Sequence, residues 1–347
     1  MHRADTTISM KNKADPALVI DLIEAFRRSK AMFTAVRLGV FDQLEKQPQT
    51  ADQLAKKLKL NCSALRRLID GCVALQLLAR EDENYRNTAS ASKYLTSGSP
   101  DTLSGYIVYS DESLYPLWGH LDDAVREGTN RWPQTFGSRD ALFDHFFRDA
   151  ERTGNFIKAM NGFGQLASRL VISGFDLSRY RQLVDLGGAT GHLAIAACQL
   201  YPNLRATVVD LARVEPFARA HIAQSSVASR VEFVVADFFA DPLPPGDLYS
   251  LGRILHDWSD ARITELLEKV SAALPSGGGI LVIEALVNDD RSGPVSALMQ
   301  DLNMLVCTDG RERTLTEYKA LLESAGFANV ISHRTGVVVD AVFATKK

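Results

Sequence analysis

The sequence predicts a two-domain α/β protein with a helical first half and a second half in which short strands alternate with helices. The chain has 347 residues, enough for two domains of roughly 150 residues each. Apolar residues recur at helical spacing up to about residue 170, and short apolar runs bounded by turn residues follow. Strands that alternate with helices connect by right-handed crossovers, which predicts a parallel sheet covered on both faces. We therefore divide the chain into domains at 1–168 and 169–347.

Composition places the chain among ordinary globular proteins. Hydrophobic residues make up 46% and charged residues 23%, and the formal net charge is −3. These values exclude a disordered chain, and the balanced charge gives no reason to expect nucleic acid or an anionic membrane as partner. We find no apolar run of the roughly 18 residues that span a membrane, and no signal peptide is expected. Four cysteines without metal-ligand or redox-pair spacing predict reduced thiols in a cytoplasm.

The elements of the first half are predicted from capping signals and helical spacing. A helix should begin at Asp15 and Pro16 and carry an apolar stripe along its next turns. Thr50 and Gln53 have the spacing of a capping box for a second helix, and Asn61 can cap a third. A polar turn then separates two short strand-like segments. Two short helices followed by a hairpin predict a winged helix-turn-helix.

Five apolar runs in the second half are predicted as strands. They are 182–186, 206–210, 231–236, 248–254 and 280–284. Segment 259–274 has apolar residues on one face and is followed by a proline and three glycines, which predicts a helix. Segments 330–334 and 337–343 predict a closing hairpin.

The turn after the first of these strands is rich in glycine. Gly187, Gly188 and Gly191 let the backbone approach a ligand closely and turn sharply into a helix. Ala189 and His192 stand at two positions where the dinucleotide fingerprint requires glycine. The turn therefore predicts a ligand without a pyrophosphate.

Polar residues also follow the next two strands. Asp210 ends the second strand, where a carboxylate can accept both hydroxyls of a ribose. Asp237 and Phe238 follow the third strand and offer a polar acceptor and an aromatic face to an adenine. Because ligands of open α/β sheets bind at the carboxyl ends of the strands, these residues together predict a nucleoside site.

Three segments resemble one enzyme family. They are the His-Asp-Trp segment 255–260, the glycine-rich run 277–284, and segment 303–314, which reads N-M-L-V-C-T-D-G-R-E-R-T. With segment 118–128 of the first half, they resemble the S-adenosylmethionine-dependent small-molecule O-methyltransferases of plant and bacterial type. Within that family the resemblance is strongest to the hydroxyindole (acetylserotonin) branch and its "like" relative, over nearly the whole chain.

This resemblance implies an architecture and a reaction. The fold would be a class I methyltransferase sheet of Rossmann-like type, with an N-terminal winged-helix-type domain that builds a homodimer. The reaction would move a methyl group from S-adenosylmethionine to a small aromatic hydroxyl compound, with S-adenosylhomocysteine as the other product and no metal ion.

The resemblance also assigns roles to individual residues. His256 matches the general base, and an imidazole with an ordinary pKa of about 6.5 can take a proton from a phenol at neutral pH. Glu284 and Glu312 flank this base, and either carboxylate could hold its other ring nitrogen. The other six histidines are expected to be structural or on the surface. Positions that match cofactor contacts are Arg253 and Phe147, and positions that match acceptor contacts are Asp257, Asn303, Cys307, Met160 and Phe156.

Cys307 departs from the hydroxyindole branch, which carries an amide side chain at this position. A thiol is a weak hydrogen-bond partner, so contact with an acetylamide tail would be weakened. No metal site is expected, because the acidic pairs 122–123 and 289–290 lack a third ligand at useful spacing.

Two other functions compete with methyl transfer. A winged-helix DNA-binding regulator is the first, but residues 51–100 hold eight Lys or Arg against five Asp or Glu, a net +3. That excess is small for a phosphate-binding face, so no nucleic-acid partner is expected. The second is a cofactor-binding relative without methyl transfer. The identity of the acceptor, and the choice between the two glutamates, stay open.

Overall fold

The computed structural model describes residues 15–137 and 150–347, without the side chains of residues 150–152 and 155. Phe147, a predicted cofactor contact, lies outside the described residues. The chain divides into two compact units, Met1–Ser92 and Lys93–Lys347. The predicted functional division after residue 168 stays a prediction.

The first unit combines helices with a small antiparallel sheet. Its helices are Ala17–Arg37, Val40–Lys46, Ala51–Leu58, Cys62–Ala74 and Ala89–Tyr94, within which the unit ends. Its strands are β1 (Gln49–Thr50), β2 (Leu78–Glu81) and β3 (Asn84–Asn87), in the order β1-β3-β2. The predicted pair of helices and the hairpin after it are both present.

The helix starts of this unit lie where the capping signals predict them. The carboxylate of Asp15 accepts a hydrogen bond from the backbone N–H of Ala17 at 2.9 Å, where the first helix begins. Thr50 and Gln53 form a complete capping box, and the side chain of Asn61 caps the helix Cys62–Ala74. The capping box and the Asn61 cap are confirmed, because each depends on residues three apart. The first helix starts where predicted, but its N-cap residue is Pro16 and not Asp15.

The apolar stripe of the helix Ala17–Arg37 is exposed. Only Ala35 is buried in this helix. Six large apolar side chains are 52–69% exposed: Leu18, Val19, Ile20, Leu22, Ile23 and Phe26. A contiguous apolar surface of this kind is typical of a contact with another molecule.

The second unit contains a seven-stranded sheet. Its strands are β4 (Gln182–Leu186), β5 (Arg205–Asp210), β6 (Val231–Val235), β7 (Leu248–Gly252), β8 (Gly279–Glu284), β9 (Phe327–His333) and β10 (Asp340–Lys346). The five predicted parallel strands are confirmed, with bounds that differ by at most two residues. The closing hairpin is also present, but its strands begin three residues earlier and three residues later than predicted.

The described helices of this unit lie before, between and after the strands. They are Ser104–Tyr109, Tyr115–Trp118, Leu121–Glu127, Trp132–Phe136, Ala150–Ser173, His192–Leu200, Glu215–Ala223, Asp260–Ala273, Val295–Cys307 and Leu315–Ser324. A π-helical turn spans Ser110–Leu114, and 3-10 turns span Ala228–Arg230 and Leu255–Asp257. Among the residues that the structure describes, none of the helices combines the length and the apolar composition of a membrane span.

The order of the strands positions the ligand site. The sheet runs β6-β5-β4-β7-β8-β10-β9; its first five strands are parallel, and β10 is antiparallel to both neighbours. Successive residues of β4, Leu183 and Val184, enter two different apolar cores, so both faces of the sheet are covered. The chain leaves β4 towards β5 on one side and later returns to β7 on the other. Such a reversal leaves a crevice at the carboxyl ends of the strands.

Candidate active site at the carboxyl edge of the sheet

A cavity of about 300 Å³ lies at the carboxyl edge of this sheet. Eleven predicted site residues line it: Phe156, Met160, Gly187, Asp210, Asp237, Phe238, Arg253, His256, Asp257, Asn303 and Cys307. Four others do not line it: Gly188, Gly191, Glu284 and Glu312. The structure therefore brings most of the predicted set to one place, although its members come from separate elements.

The glycine turn needs its glycines for two reasons. Gly187 and Gly191 have φ angles of +68° and +79°, in the region that disfavours side chains. A Cβ on Gly188 would lie 2.5 Å from the carboxylate of Asp185, so only glycine fits there. Gly188 and Gly191 thus shape the turn without lining the cavity, and Gly187 brings backbone to the cavity wall.

The ends of β5 and β6 supply the groups expected for a nucleoside. Asp210 accepts hydrogen bonds from the backbone N–H groups of Ala189, at 2.9 Å, and Leu211, at 2.8 Å. Burial raises the pKa of Asp210 to about 6, so the carboxylate is still mostly ionised at neutral pH. Asp237 and Phe238 line the same cavity. A carboxylate and an aromatic face on adjacent strand ends fit a ribose and an adenine.

Two glutamates hold His256 in different ways. The imidazole Nδ1 lies 2.7 Å from Oε1 of Glu312 and 3.3 Å from Oε2 of Glu284. Oε1 of Glu284 accepts hydrogen bonds from the backbone N–H groups of Ile254, at 3.0 Å, and Leu255, at 2.9 Å. Glu312 is therefore the hydrogen-bond partner of the imidazole, and Glu284 anchors the backbone that precedes it. The sequence left this choice open.

The carboxylates around His256 change its acidity. Burial by itself lowers the pKa of His256, but Glu284, Glu312 and Asp257 outweigh it and raise the pKa to about 9. Burial in turn raises the pKa of Glu284 and of Asp257, whose Oδ1 lies 3.7 Å from the imidazole Nε2. The resting imidazole thus holds its proton more tightly than the ordinary value expected from the sequence.

The same cluster has the geometry of a potential cation site. His256, Glu284 and Glu312 each offer one ligand atom, and these atoms lie within 4.8 Å of one another. Sequence spacing could not indicate this set, because its members lie 28 residues apart along the chain on three separate segments. Nδ1 of His256 already pairs with Glu312, and one oxygen of Glu284 is used by backbone. The expected absence of a metal ion stays a prediction.

The cavity is mostly apolar and aromatic around Phe156 and Met160, two of the residues predicted to contact the acceptor. Tyr109 and Phe156 meet edge to face, with ring centroids 5.7 Å apart. Oδ1 of Asn303 accepts a hydrogen bond from the indole N–H of Trp118 at 2.9 Å, and the thiol of Cys307 lies 3.8 Å from the same oxygen. The amide group of Asn303 is then left as a hydrogen-bond donor at the cavity wall.

Several cavity residues were not predicted. Tyr106, Tyr109, Trp258 and Arg262 line the cavity, as does His192, for which a structural or surface position was expected. His192 lines the cavity because the helix that begins at this residue follows the glycine turn at the carboxyl edge of β4. Its place after the last glycine of the turn was the signal that could have identified it.

Comparison with known proteins agrees with this geometry. The O-methyltransferase domain family matches residues 118–328, and the O-methyltransferase dimerisation domain matches residues 20–97. Acetylserotonin O-methyltransferase of Gallus gallus is 41% identical, over 95% of this chain and 97% of its own length. The 3-hydroxy-5-methyl-1-naphthoate 3-O-methyltransferase of Streptomyces sahachiroi is 36% identical, over 91% of this chain and 90% of its own.

A solved structure supports the same assignment. The crystal structure of human N-acetylserotonin methyltransferase in complex with S-adenosylmethionine has a TM-score of 0.91 and 39% identity to this chain. The match covers 97% of this chain and 99% of the human one. The chain therefore belongs to the family of S-adenosylmethionine-dependent O-methyltransferases that includes acetylserotonin O-methyltransferase.

Proposed function

We propose that this enzyme methylates an aromatic hydroxyl, with His256 as general base and without a metal ion. The observation that carries the proposal is the shared cavity: His256 lines it together with Asp210 and Asp237, and Glu312 holds the imidazole Nδ1 at 2.7 Å. An oriented imidazole beside a nucleoside pocket is suited to deprotonate a hydroxyl next to a bound methyl donor.

The residues at the strand ends fit S-adenosylmethionine. Asp210 would hold the ribose hydroxyls, Asp237 and Phe238 would hold the adenine, and the backbone at Gly187 permits close approach. When bound, the cofactor supplies an electrophilic methyl group on a sulfonium, so the protein need supply only alignment and a base.

The imidazole is arranged for proton transfer. Glu312 is an acceptor, so Nδ1 of His256 carries a proton and Nε2 is the nitrogen left to take one from the acceptor hydroxyl. The nearby carboxylates stabilise the imidazolium that results, as the acid of a catalytic triad does. The same carboxylates keep the resting imidazole protonated to higher pH. Because a protonated imidazole cannot act as a base, we expect the rate to rise towards alkaline pH.

The acceptor end favours a flat aromatic compound. Tyr106, Tyr109 and Phe156 provide aromatic walls, and Met160 adds an adaptable apolar side chain. Related enzymes are named for an acetylserotonin and for a hydroxynaphthoate acceptor. Cys307 is a poor partner for an acetylamide tail, so we propose phenolic or polyketide-like rings as acceptors alongside hydroxyindoles.

The first unit is proposed to build a homodimer. It matches a dimerisation domain, and its first helix exposes an apolar stripe. A winged-helix regulator is the alternative suggested by its helix pair and hairpin, but a net +3 over residues 51–100 argues against DNA binding. The cytoplasm, with four unpaired cysteines, is the proposed location.

An acceptor panel tests the function. Hydroxyindoles, flavonoids, hydroxynaphthoates and phenolic polyketides are incubated with S-adenosylmethionine, and release of S-adenosylhomocysteine is measured with and without EDTA. We expect release with at least one aromatic hydroxyl and no effect of the chelator. Cofactor binding without release from any acceptor would support the non-transferring alternative, and loss of activity with EDTA would contradict the metal-free mechanism. A DNA gel shift at physiological salt tests the regulator alternative.

A further inference from the structure

We propose that His192 binds the cofactor, through a hydrogen bond from the α-ammonium group of the methionine part to the imidazole Nε2. The inference rests on the cofactor of the family and not on the identity of the acceptor. It assigns a role to a histidine that neither the general base nor the nucleoside site uses.

The hydrogen bonds around His192 determine which nitrogen carries the proton. Its Nδ1 lies 2.8 Å from the hydroxyl oxygen of Ser168. The hydroxyl of Ser168 already donates to the backbone carbonyl of Gly164, also at 2.8 Å. Because a hydroxyl has a single hydrogen, Ser168 can only accept from the imidazole. Nδ1 is therefore protonated, and Nε2 presents a lone pair.

The surroundings keep this imidazole neutral. Burial, with smaller contributions from His221 and Arg253, lowers the pKa of His192 to about 4. At neutral pH Nε2 is thus an acceptor and cannot donate to a carboxylate. Among the described residues, no protein donor is within hydrogen-bond distance of Nε2.

The ring occupies space that a glycine leaves open. A Cβ on Gly164 would lie 2.3 Å from Nε2 of His192, so the imidazole edge packs against bare backbone of the helix Ala150–Ser173. His192 lines the cofactor cavity and also a neighbouring cavity of about 380 Å³. It stands between the glycine turn and that helix.

The order of the strands indicates which part of the cofactor lies there. In the proposed function, on which this step rests, adenine and ribose lie at the ends of β6 and β5, and the proposed base His256 follows β7. The turn after β4 lies between them, which leaves the amino-acid part for the region of His192. That proposal assigns the ribose hydroxyls to Asp210 and the adenine amino group to Asp237. The α-ammonium is then the donor that an unpaired imidazole lone pair can accept.

A pair of ligands separates this role from general packing. S-adenosylhomocysteine carries the amino-acid group, and 5′-methylthioadenosine is a similar nucleoside thioether without it. Calorimetry with the whole chain should show that His192→Phe binds S-adenosylhomocysteine roughly 10- to 100-fold more weakly, as expected for a hydrogen bond to a charged group. Binding of 5′-methylthioadenosine should stay within about twofold. If His192→Phe does not fold, His192→Ala serves the same comparison.

Two further variants complete the test. Ser168→Ala removes the hydrogen-bond acceptor that keeps the proton on Nδ1 of His192. It should therefore reduce the preference for S-adenosylhomocysteine over 5′-methylthioadenosine by a smaller factor than His192→Phe does. His221→Phe is the matched control, because Nδ1 of His221 bonds the carbonyl of Thr190 and its Nε2 bonds Gln165; the ratio of the two affinities should not change. Equal weakening of both ligands in the His192 variants, or no weakening, would overturn the proposal. Proton uptake on binding of S-adenosylhomocysteine, measured in buffers of different ionisation enthalpy, would also overturn it. That result would indicate a protonated His192 that donates to the carboxylate of the ligand's amino-acid part.

Discussion

At the scale of single residues, the proposed base depends on two carboxylates with separate tasks. Glu312 takes the hydrogen bond from Nδ1 of His256, and Glu284 fixes the backbone before it through two N–H groups. Both raise the pKa of the imidazole. Their separate contacts make the two tasks experimentally distinguishable.

The pH dependence of kcat should separate these tasks. Each glutamate raises the pKa of His256, so Glu312→Gln and Glu284→Gln should both move the acid limb of the profile to lower pH. Only Glu312→Gln replaces the carboxylate that accepts from Nδ1–H with a neutral amide, a weaker acceptor for the ring, so its alkaline plateau should fall by about 10- to 100-fold, part of the roughly 10²–10⁴-fold that a general base contributes. Glu284→Gln keeps an oxygen for the two backbone N–H groups and should retain most of the plateau.

His256→Gln provides the reference for this experiment. It should lose the acid limb and most of the rate, and then gain activity at high pH as the acceptor ionises unaided. Cofactor affinity should be nearly unchanged, which calorimetry on the same preparation measures. A folded, cofactor-saturated His256→Gln enzyme with near wild-type turnover would remove His256 from the role of base.

At the scale of elements, the helix Ala17–Arg37 has an apolar stripe that its own compact unit does not bury. Leu22 and Ile23 are 64% and 61% exposed. Obligate interfaces commonly bury more than about 2,000 Å² and are rich in such residues. The helix is thus suited to join two copies of the chain, in agreement with the dimerisation-domain match.

Aspartate substitutions in the apolar stripe of this helix should dissociate the proposed homodimer. Each substitution occurs twice in a two-fold interface, so Leu22→Asp with Ile23→Asp should raise the dissociation constant of the dimer at least about 100-fold. Analytical ultracentrifugation at micromolar concentration checks this. Val125→Asp, at a 64% exposed valine of the helix Leu121–Glu127, is the control and should remain dimeric. A monomeric wild type would contradict the homodimer.

At the scale of the whole molecule, a cavity assembled from several elements links ligand binding to folding. A ligand that binds only the folded chain stabilises it by mass action. S-adenosylhomocysteine at 100 times its dissociation constant should therefore add about 2.7 kcal/mol to the free energy of unfolding.

Asp210→Asn should lose part of that stabilisation. Charge-assisted hydrogen bonds to the ribose contribute roughly 1.5–3 kcal/mol, so affinity should fall at least about tenfold. At the same ligand concentration the added free energy of unfolding would then drop to about 1.4 kcal/mol or less. Denaturant titration of each variant measures the free energy of unfolding with and without S-adenosylhomocysteine. Asp176→Asn is the control, because that carboxylate accepts a hydrogen bond from the backbone of Ser178 in an exposed turn. If S-adenosylhomocysteine stabilises Asp210→Asn as much as it stabilises the wild type, the ribose contact is refuted.

The amino-acid pattern alone was enough to predict the strands and the capped helix starts, and it also predicted a nucleoside site at the carboxyl edge of the sheet. These features depend on periodicity and on capping partners within a few positions, so local physics decides them. The strand ends at Asp210 and Asp237 followed from the same patterns, because parallel strands present their carboxyl ends at one edge. The resemblance added His256 and its two glutamates without showing which of them orients the ring.

The pairing of those side chains follows from how the elements pack in three dimensions. Glu312 meets His256 across 56 residues of chain, and Trp118 meets Asn303 across 185. The tautomer of His192, the raised pKa of His256 and the exposure of the first helix likewise depend on which elements pack together. Hydrogen bonds, desolvation and charge act over a few ångströms in space, and distances along the chain do not determine those separations.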